Sequence, residues 1–286
     1  MIPQSQISRL SNRLFKELGG RRIPESVLER DYCIAWFLVG LSRASLKNKI
    51  TFKGGTALRR CHFPDYRFSE DLDFTLLQPL SFEELKQELE QVYKEIKIAS
   101  NISFRFSRPD PVTHLNSYTF YLAYEGPLPV TSTTKEVKVD ITINEKIFFR
   151  PIDIPVLKCC DEFTDFPENE KILVYSLEEI ASEKTVALLD RARTEPRDLY
   201  DLWYLAEHRN SVDLNDCLDA INAKLLHRGK KLSEVKDEFS KKEIRLKKTW
   251  DTRLSMQMAN LPMFDNIYRG VKRMFRQAKI TDAMCR

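Results

Sequence analysis

The chain has 286 residues, 42% hydrophobic, 31% charged and 10% aromatic, which is the composition of a folded globular protein and excludes collagen-like, disordered and disulfide-scaffold classes. Its 46 Lys and Arg against 42 Asp and Glu leave a net charge of +4 with histidine neutral, a balance that by itself identifies no acidic partner. Six cysteines (Cys33, Cys61, Cys159, Cys160, Cys217, Cys285) show neither CxxC spacing nor a histidine at zinc-ligand intervals, so reduced thiols are expected rather than a metal knuckle or a stapled secreted fold.

The opening MIPQSQISRLSNRLFKELGGRR lacks the apolar core of a signal peptide, and no window approaches the roughly 18 apolar residues that span a bilayer, which predicts a cytoplasmic protein without a membrane partner. Residues 4–19 and 24–45 carry apolar positions at helical spacing, separated by Gly19-Gly20 and Pro24, and predict two helices. Ile50-Thr51-Phe52 then reads as a strand that runs into Gly54-Gly55-Thr56 and the helix-favouring ALRRC. A second strand covers 71–77, and an amphipathic helix starts at Ser81, where Ser-Phe-Glu-Glu makes a capping box. Further strands are predicted at 102–107, 117–124 and 136–143, before a polar, proline-bearing stretch from 151 to 170. From Leu177 the pattern is helical: 177–193, 197–209, 213–227, a long basic segment 231–258 and a last amphipathic piece from 262. The expected fold class is α+β, with a mixed-sheet lobe and its N-terminal helices over 1–168 and an all-helical, basic lobe over 169–286.

In KVDITI the aliphatic Val137, Val139, Ile141 and Ile143 alternate with Lys138, Asp140 and Thr142, so Asp140 projects from the face opposite the aliphatics. Asp71 and Asp73, two apart on a strand, likewise share one face, with Leu72 on the other. If the two strands are neighbours, three carboxylates converge. Such a cluster repels itself unless a hard divalent cation, Mg²⁺ or Mn²⁺, occupies it together with nucleotide phosphates. Gly54 and Gly55 permit close backbone approach, Thr56 adds a hydroxyl at a helix start, and free N–H groups there favour anions. Lys53 and Arg59 add positive charge nearby. Arg67 is placed either for an anion or for the surface, and the Ser69 hydroxyl either to bond a phosphate oxygen or to cap the turn. The order carries the information: Gly-Gly-Thr, then Arg-x-Ser-Glu-Asp-x-Asp with Glu70 fifteen residues after Gly55.

KGGTALRRCHFPDYRFSEDLDFTL together with EKTVALLDRARTEPRDLYDLWYL resembles the AbiEii/AbiGii toxin family of nucleotidyltransferase-like proteins, which includes the MenT toxins, over roughly residues 45–210. The resemblance implies a nucleotidyltransferase domain of the DNA polymerase β type followed by a helical lobe. It also implies a toxin with a cognate antitoxin and a nucleoside triphosphate substrate. Some members transfer nucleotides to tRNA acceptor ends and block translation, while others only bind nucleotide. By the same resemblance Gly54, Gly55 and Thr56 match the phosphate-contacting turn, Asp71 and Asp73 the metal pair, and Asp140 the third carboxylate. Lys184 matches the family lysine, and Arg197, Asp198 and Asp201 match the Arg-Asp-x-x-Asp motif.

Asp198 and Asp201 are neighbours on one helical face, where they either orient Lys184, hold an arginine or contact ribose or base. The same residues serve a nucleotide-binding regulator that transfers nothing, or an enzyme that nucleotidylates a protein. His62, His114, His208 and His227 are scattered and read as structural or surface residues, and Trp203 and Tyr204 as core. The net charge conceals an asymmetry: residues 224–286 hold 17 Lys and Arg against 7 Asp and Glu, leaving −6 on residues 1–223. A basic helical lobe joined to an acidic, metal-requiring one suits a polyanionic acceptor such as tRNA.

Overall fold

Strands rich in alternating aliphatics require something apolar to cover one face, and in this computed structural model two helices supply it. The structure describes residues 1–112, 115–129, 134–190 and 195–281; His114, Cys285 and the end of the helix expected over 177–193 lie outside these. The chain divides into two units, the first comprising Met1–Asn144, Pro151–Val174 and Met256–Ala259, the second Glu145–Arg150, Tyr175–Ser255 and Asn260–Arg286.

In the first unit the described strands are β1 (Ile50–Lys53), β2 (Asp71–Leu76), β3 (Ser103–Pro109), β4 (Ser117–Glu125), β5 (Glu136–Thr142), β6 (Ile152–Pro155) and β7 (Lys171–Val174). They form one sheet in the order β3-β4-β5-β2-β1-β7-β6, with β2/β5 and β1/β7 parallel and the other pairs antiparallel. Helices α1 (Gln4–Leu18), α2 (Glu25–Arg43), α3 (Gly54–Ala57) and α4 (Phe82–Ser100) complete this unit. Every residue from Tyr32 to Ser42 of α2 is buried, as expected of a helix apolar all round. The α4 start carries the expected capping box, Ser81 N–H donating to Glu84 at 2.8 Å and Glu84 N–H to the Ser81 hydroxyl at 3.3 Å. Phe52, Leu72, Phe74, Phe120, Val139 and Ile141 make the buried face of the sheet, and Phe37 of α2 packs on Phe74 and Phe104.

Strands β6 and β7 occupy the region that reads as polar and proline-bearing together with the four residues beyond it. Four residues each are too few to display a period, and β7 is recognisable only because Val174 pairs with Phe52 of β1.

The second unit is built from α5 (Leu177–Asp190), α6 (Pro196–Trp203), α7 (Leu218–His227), α8 (Leu232–Val235), α9 (Glu238–Lys241), α10 (Glu243–Leu254) and α11 (Phe264–Gln277). The basic segment 231–258 is therefore not one helix but three, and its last residues belong to the first unit. The breaks let Val235 and Phe239 turn inward, where Phe239 stacks on Tyr268 and meets Phe275 edge-on. Lys224 is fully buried, its ammonium 2.7 Å from Glu179 and donating to the Lys146 carbonyl at 2.8 Å. Glu179 in turn accepts from the backbone N–H groups of Phe148 and Phe149, tying segment 145–150 to the helices.

Among the described residues no helix is long and apolar enough to cross a membrane. Burial pushes the Cys160 thiol up to about 12 and the Cys217 thiol up to about 11, so both are protonated at neutral pH and inert as nucleophiles.

Candidate active site

The period of two leaves a polar face on the sheet, and strand register organises it into rows. Lys53 of β1 lies opposite Asp73 of β2, Asp73 opposite Asp140 of β5, and Asp140 opposite Thr119 of β4. One step along, Asp71 lies opposite Lys138 and Lys138 opposite Tyr121. On the other side, Thr51, Thr75, Thr142 and Ser117 form a third row. Asp71, Asp73 and Asp140 are each half-buried, and Asp140 accepts a hydrogen bond from the Thr119 hydroxyl at 2.9 Å. The Lys53 ammonium reaches across to the Thr142 hydroxyl at 3.1 Å.

The glycine pair sits where the sheet row meets the next helix. Gly54 has φ +79°, in the left-handed region, and a Cβ there would collide with a carboxylate oxygen of Asp73. At Gly55 a Cβ would stand 2.6 Å from Arg67 Nη2 and 3.2 Å from the Ser69 hydroxyl oxygen. Both glycines are thus demanded by neighbouring side chains of the site itself, whatever binds there. The buried Thr56 hydroxyl donates to the Asp71 carbonyl at 2.5 Å, locking the turn to the strand that carries the acidic pair.

Three of the expected anion contacts are buried. Ser69 is 5% exposed and lies against Gly55. Arg67, 4% exposed, donates to the Gln257 side chain at 2.7 Å and to the Phe68 carbonyl at 3.2 Å. Arg59 is committed to the core: its guanidinium donates to both carboxylate oxygens of Asp31 at 2.9 and 3.1 Å and to the Tyr66 carbonyl at 2.6 Å, and lies 3.9 Å from the Phe68 ring centroid. Its charge is matched by Asp31. Gln257 carried no signal in the sequence, being 190 residues from Arg67.

In the second unit Lys184 of α5 pairs with Asp198 Oδ1 at 2.9 Å and Asp201 Oδ2 at 2.7 Å, both on α6. These contacts orient the lysine, one of the roles open to the two aspartates. Arg197, half-buried, occupies the first turn of α6 beside them. Burial alone would push the Lys184 ammonium down, but the attraction of Asp198 and Asp201 and their hydrogen bonds outweighs it, and its pKa is raised above the ordinary lysine value. A lysine raised in the folded state contributes stability that is complete below its unfolded pKa, about 10.4, and is lost only as pH rises through the folded value. Lys184→Met is therefore expected to lower the urea midpoint by the same amount at pH 6 and pH 9; a cost that faded between them would show that the cluster titrates in the neutral range.

The expected convergence of three carboxylates takes the form of a cross-strand pair, Asp73 and Asp140, with Asp71 two residues along. Adjacent strands are about 4.8 Å apart, so the pair is closely set and like charges there repel. Among the described residues no three His, Cys, Asp or Glu side chains close round a common point as a ready-made metal cage. Mg²⁺ does not ask for one: it takes one or two carboxylates and completes its shell with water and substrate phosphates. An oxygen-only pair of half-buried carboxylates on the polar face of the sheet fits that hard cation or Mn²⁺ better than a softer metal.

A seven-stranded mixed sheet accompanied by helices is a fold similar to that of nucleotidyltransferase toxin structures. MenT4, a nucleotidyltransferase toxin from Mycobacterium tuberculosis, is similar at a TM-score of 0.64 and 15% identity over 99% of this chain and 91% of that one. JHP933 from Helicobacter pylori is similar at a TM-score of 0.55 and 17% identity, over 90% of this chain and 93% of its own. The family model for the nucleotidyl transferase AbiEii toxin of type IV toxin–antitoxin systems matches residues 36–270, and the chain belongs to that family. No curated protein matches the sequence.

Proposed function

We propose that the protein is a metal-dependent nucleotidyltransferase toxin that moves a nucleotide from a nucleoside triphosphate to the 3′ end of tRNA and so blocks translation. The observation that supports this reading most directly is the row Lys53–Asp73–Asp140–Thr119 lying next to the Gly54–Gly55 turn. Asp73 and Asp140, with Asp71 beside them, would hold the divalent cation, which supplies neutralisation of phosphate charge and acidification of the attacking hydroxyl.

The chain's own groups do the rest. Gly54 and Gly55 let the triphosphate approach the backbone, and Lys53 balances part of its charge. The acceptor hydroxyl oxygen bonds to the α-phosphorus as the bond to the β-phosphate oxygen breaks, and pyrophosphate leaves with that electron pair. Asp140, which accepts from the Thr119 hydroxyl, takes the hydroxyl proton. In the second unit Asp198 and Asp201 hold Lys184 in place, with Arg197 beside them. The basic helices suit an RNA acceptor: Arg269, Arg276 and Lys279 lie exposed on and just after α11. The family places such a toxin beside a cognate antitoxin.

The test is incubation of the full chain with each α-labelled nucleoside triphosphate, Mg²⁺ and total tRNA. Label that migrates with tRNA is the expected result. Triphosphate binding without label on any acceptor would replace the transferase with a nucleotide-binding regulator, and label on protein would replace the acceptor.

A further inference from the structure

Lys138 stands level with Asp71 on the polar face of the sheet, yet nothing in the reaction described above uses it. Its two acidic neighbours on the same face of β5 are engaged elsewhere. Glu136 is held by Arg108 at 2.8 Å and by the Ser107 hydroxyl at 2.6 Å, and Asp140 accepts from Thr119. Arg108 is further committed, its guanidinium lying 3.8 Å from the Tyr121 ring centroid. No acceptor among the described residues engages the Lys138 ammonium, which is half-buried on an internal strand.

Register tells which side of the site it commands. Lys53 pairs with Asp73, so the next same-face position of β1 would be residue 55, opposite Asp71; there the chain has already turned as Gly54–Gly55. Asp71 is therefore flanked by the glycine turn on one side and by Lys138 on the other. In phosphoryl transfer the attacking and leaving oxygens are roughly in line across the phosphorus. With the leaving pyrophosphate against the glycine turn, the attacking hydroxyl comes from the β5 side, where Lys138 is the cation at hand.

We propose that Lys138 binds the acceptor, holding the phosphodiester next to its terminal hydroxyl, and so is a positioning residue for an RNA end rather than for the triphosphate. The inference rests on the transferase reading above and extends it to the acceptor. A lysine suits this role as a point charge that tolerates small shifts of the phosphate, and its own backbone is fixed by β2 on one side and β4 on the other.

The experiment measures steady-state label transfer by the full chain with total tRNA and Mg²⁺, varying tRNA and triphosphate separately. Losing a charge-assisted hydrogen bond to phosphate predicts that Lys138→Ala raises KM for tRNA roughly tenfold or more, with kcat and triphosphate KM within about twofold. Lys138→Arg should recover most of the tRNA affinity, and Lys138→Glu should lose more than Lys138→Ala. An unchanged KM for tRNA in Lys138→Ala, or a rise in triphosphate KM instead, overturns the inference while leaving the transferase reading intact. A wild-type protein that labels no tRNA overturns both. Thermal unfolding of each variant within a degree or two of wild type guards against loss through misfolding.

Discussion

Asp73→Asn should reduce nucleotide transfer by about a thousandfold or more while leaving the protein folded and no less stable. Three decades of rate correspond to about 4 kcal/mol of transition-state stabilisation, within what a bound cation contributes by neutralising developing phosphate charge. The substitution is nearly isosteric, so Gly54 can still pack against the side chain at 73. It removes one of two carboxylates that face each other across parallel strands, and relief of that repulsion predicts a melting temperature at or above wild type in the absence of divalent cation. Added Mg²⁺ with triphosphate should then raise the melting temperature of wild type more than that of the variant, since only binding to the folded state stabilises it. Label transfer and thermal unfolding, with and without Mg²⁺, measure both halves. Transfer retained within tenfold would remove Asp73 from the reacting centre, and a fall in melting temperature without cation would mean that the row is held together rather than strained.

The largest expected effect on folding lies elsewhere in the same unit. Asp31 of α2 is 1% exposed, and both Arg59 and Arg60, at 4% and 0% exposure, point their guanidinia at it. Arg60 also donates to the Asp31 carbonyl at 2.5 Å. Removing one partner of a buried ion pair strands the others without compensation, at a cost of about 3–5 kcal/mol. Asp31→Ala strands two, which places it at the upper end of that range and near the whole stability of an ordinary domain, about 5–15 kcal/mol. Urea unfolding followed by circular dichroism is the measurement. Replacing all three by apolar residues of similar size, Asp31→Leu with Arg59→Met and Arg60→Met, should recover most of the loss, because no charge is then left buried. A loss under about 1 kcal/mol in Asp31→Ala would show that water reaches the two arginines.

Asp71, Asp73 and Asp140 were each placed on a strand face by alternation alone, and Gly54–Gly55 marked itself by the scarcity of glycine in the chain. The capping box at Ser81 and both opening helices were equally plain, since each is written in residues within one or two turns of each other. Strands β6 and β7 were not legible. Each has four residues, and each exists because a neighbour already in the sheet offers it a hydrogen-bonding edge. The basic segment 231–258 misleads for a related reason: charge and helix-forming residues run through it, but it is divided into short helices whose breaks let Val235 and Phe239 turn inward.

The arginines show the same division in electrostatic form. Arg59, three residues past Thr56, is as close in sequence to the glycine turn as any cation there except Lys53, yet it faces Asp31 on α2, which no local pattern couples to it. Arg67 is held by Gln257 from the far end of the chain. Lys138, by contrast, is visible in KVDITI only as one of the polar residues alternating with the aliphatics. Only the pairing of β5 with β2 set it beside Asp71.

By itself the sequence determined which residue types stand where along each strand and helix, and therefore that carboxylates, a glycine pair and a basic helical region exist and which face each belongs to. Periodicity and local capping are short-range properties, carried by residues within a few positions of one another. The tertiary structure alone decided that β5 lies beside β2 in a register matching Asp73 with Asp140, and which cations are matched in the interior. Strand order and charge pairing join residues 14 to 190 positions apart, and they are settled by what packs and hydrogen-bonds in three dimensions rather than by the immediate neighbours in the chain.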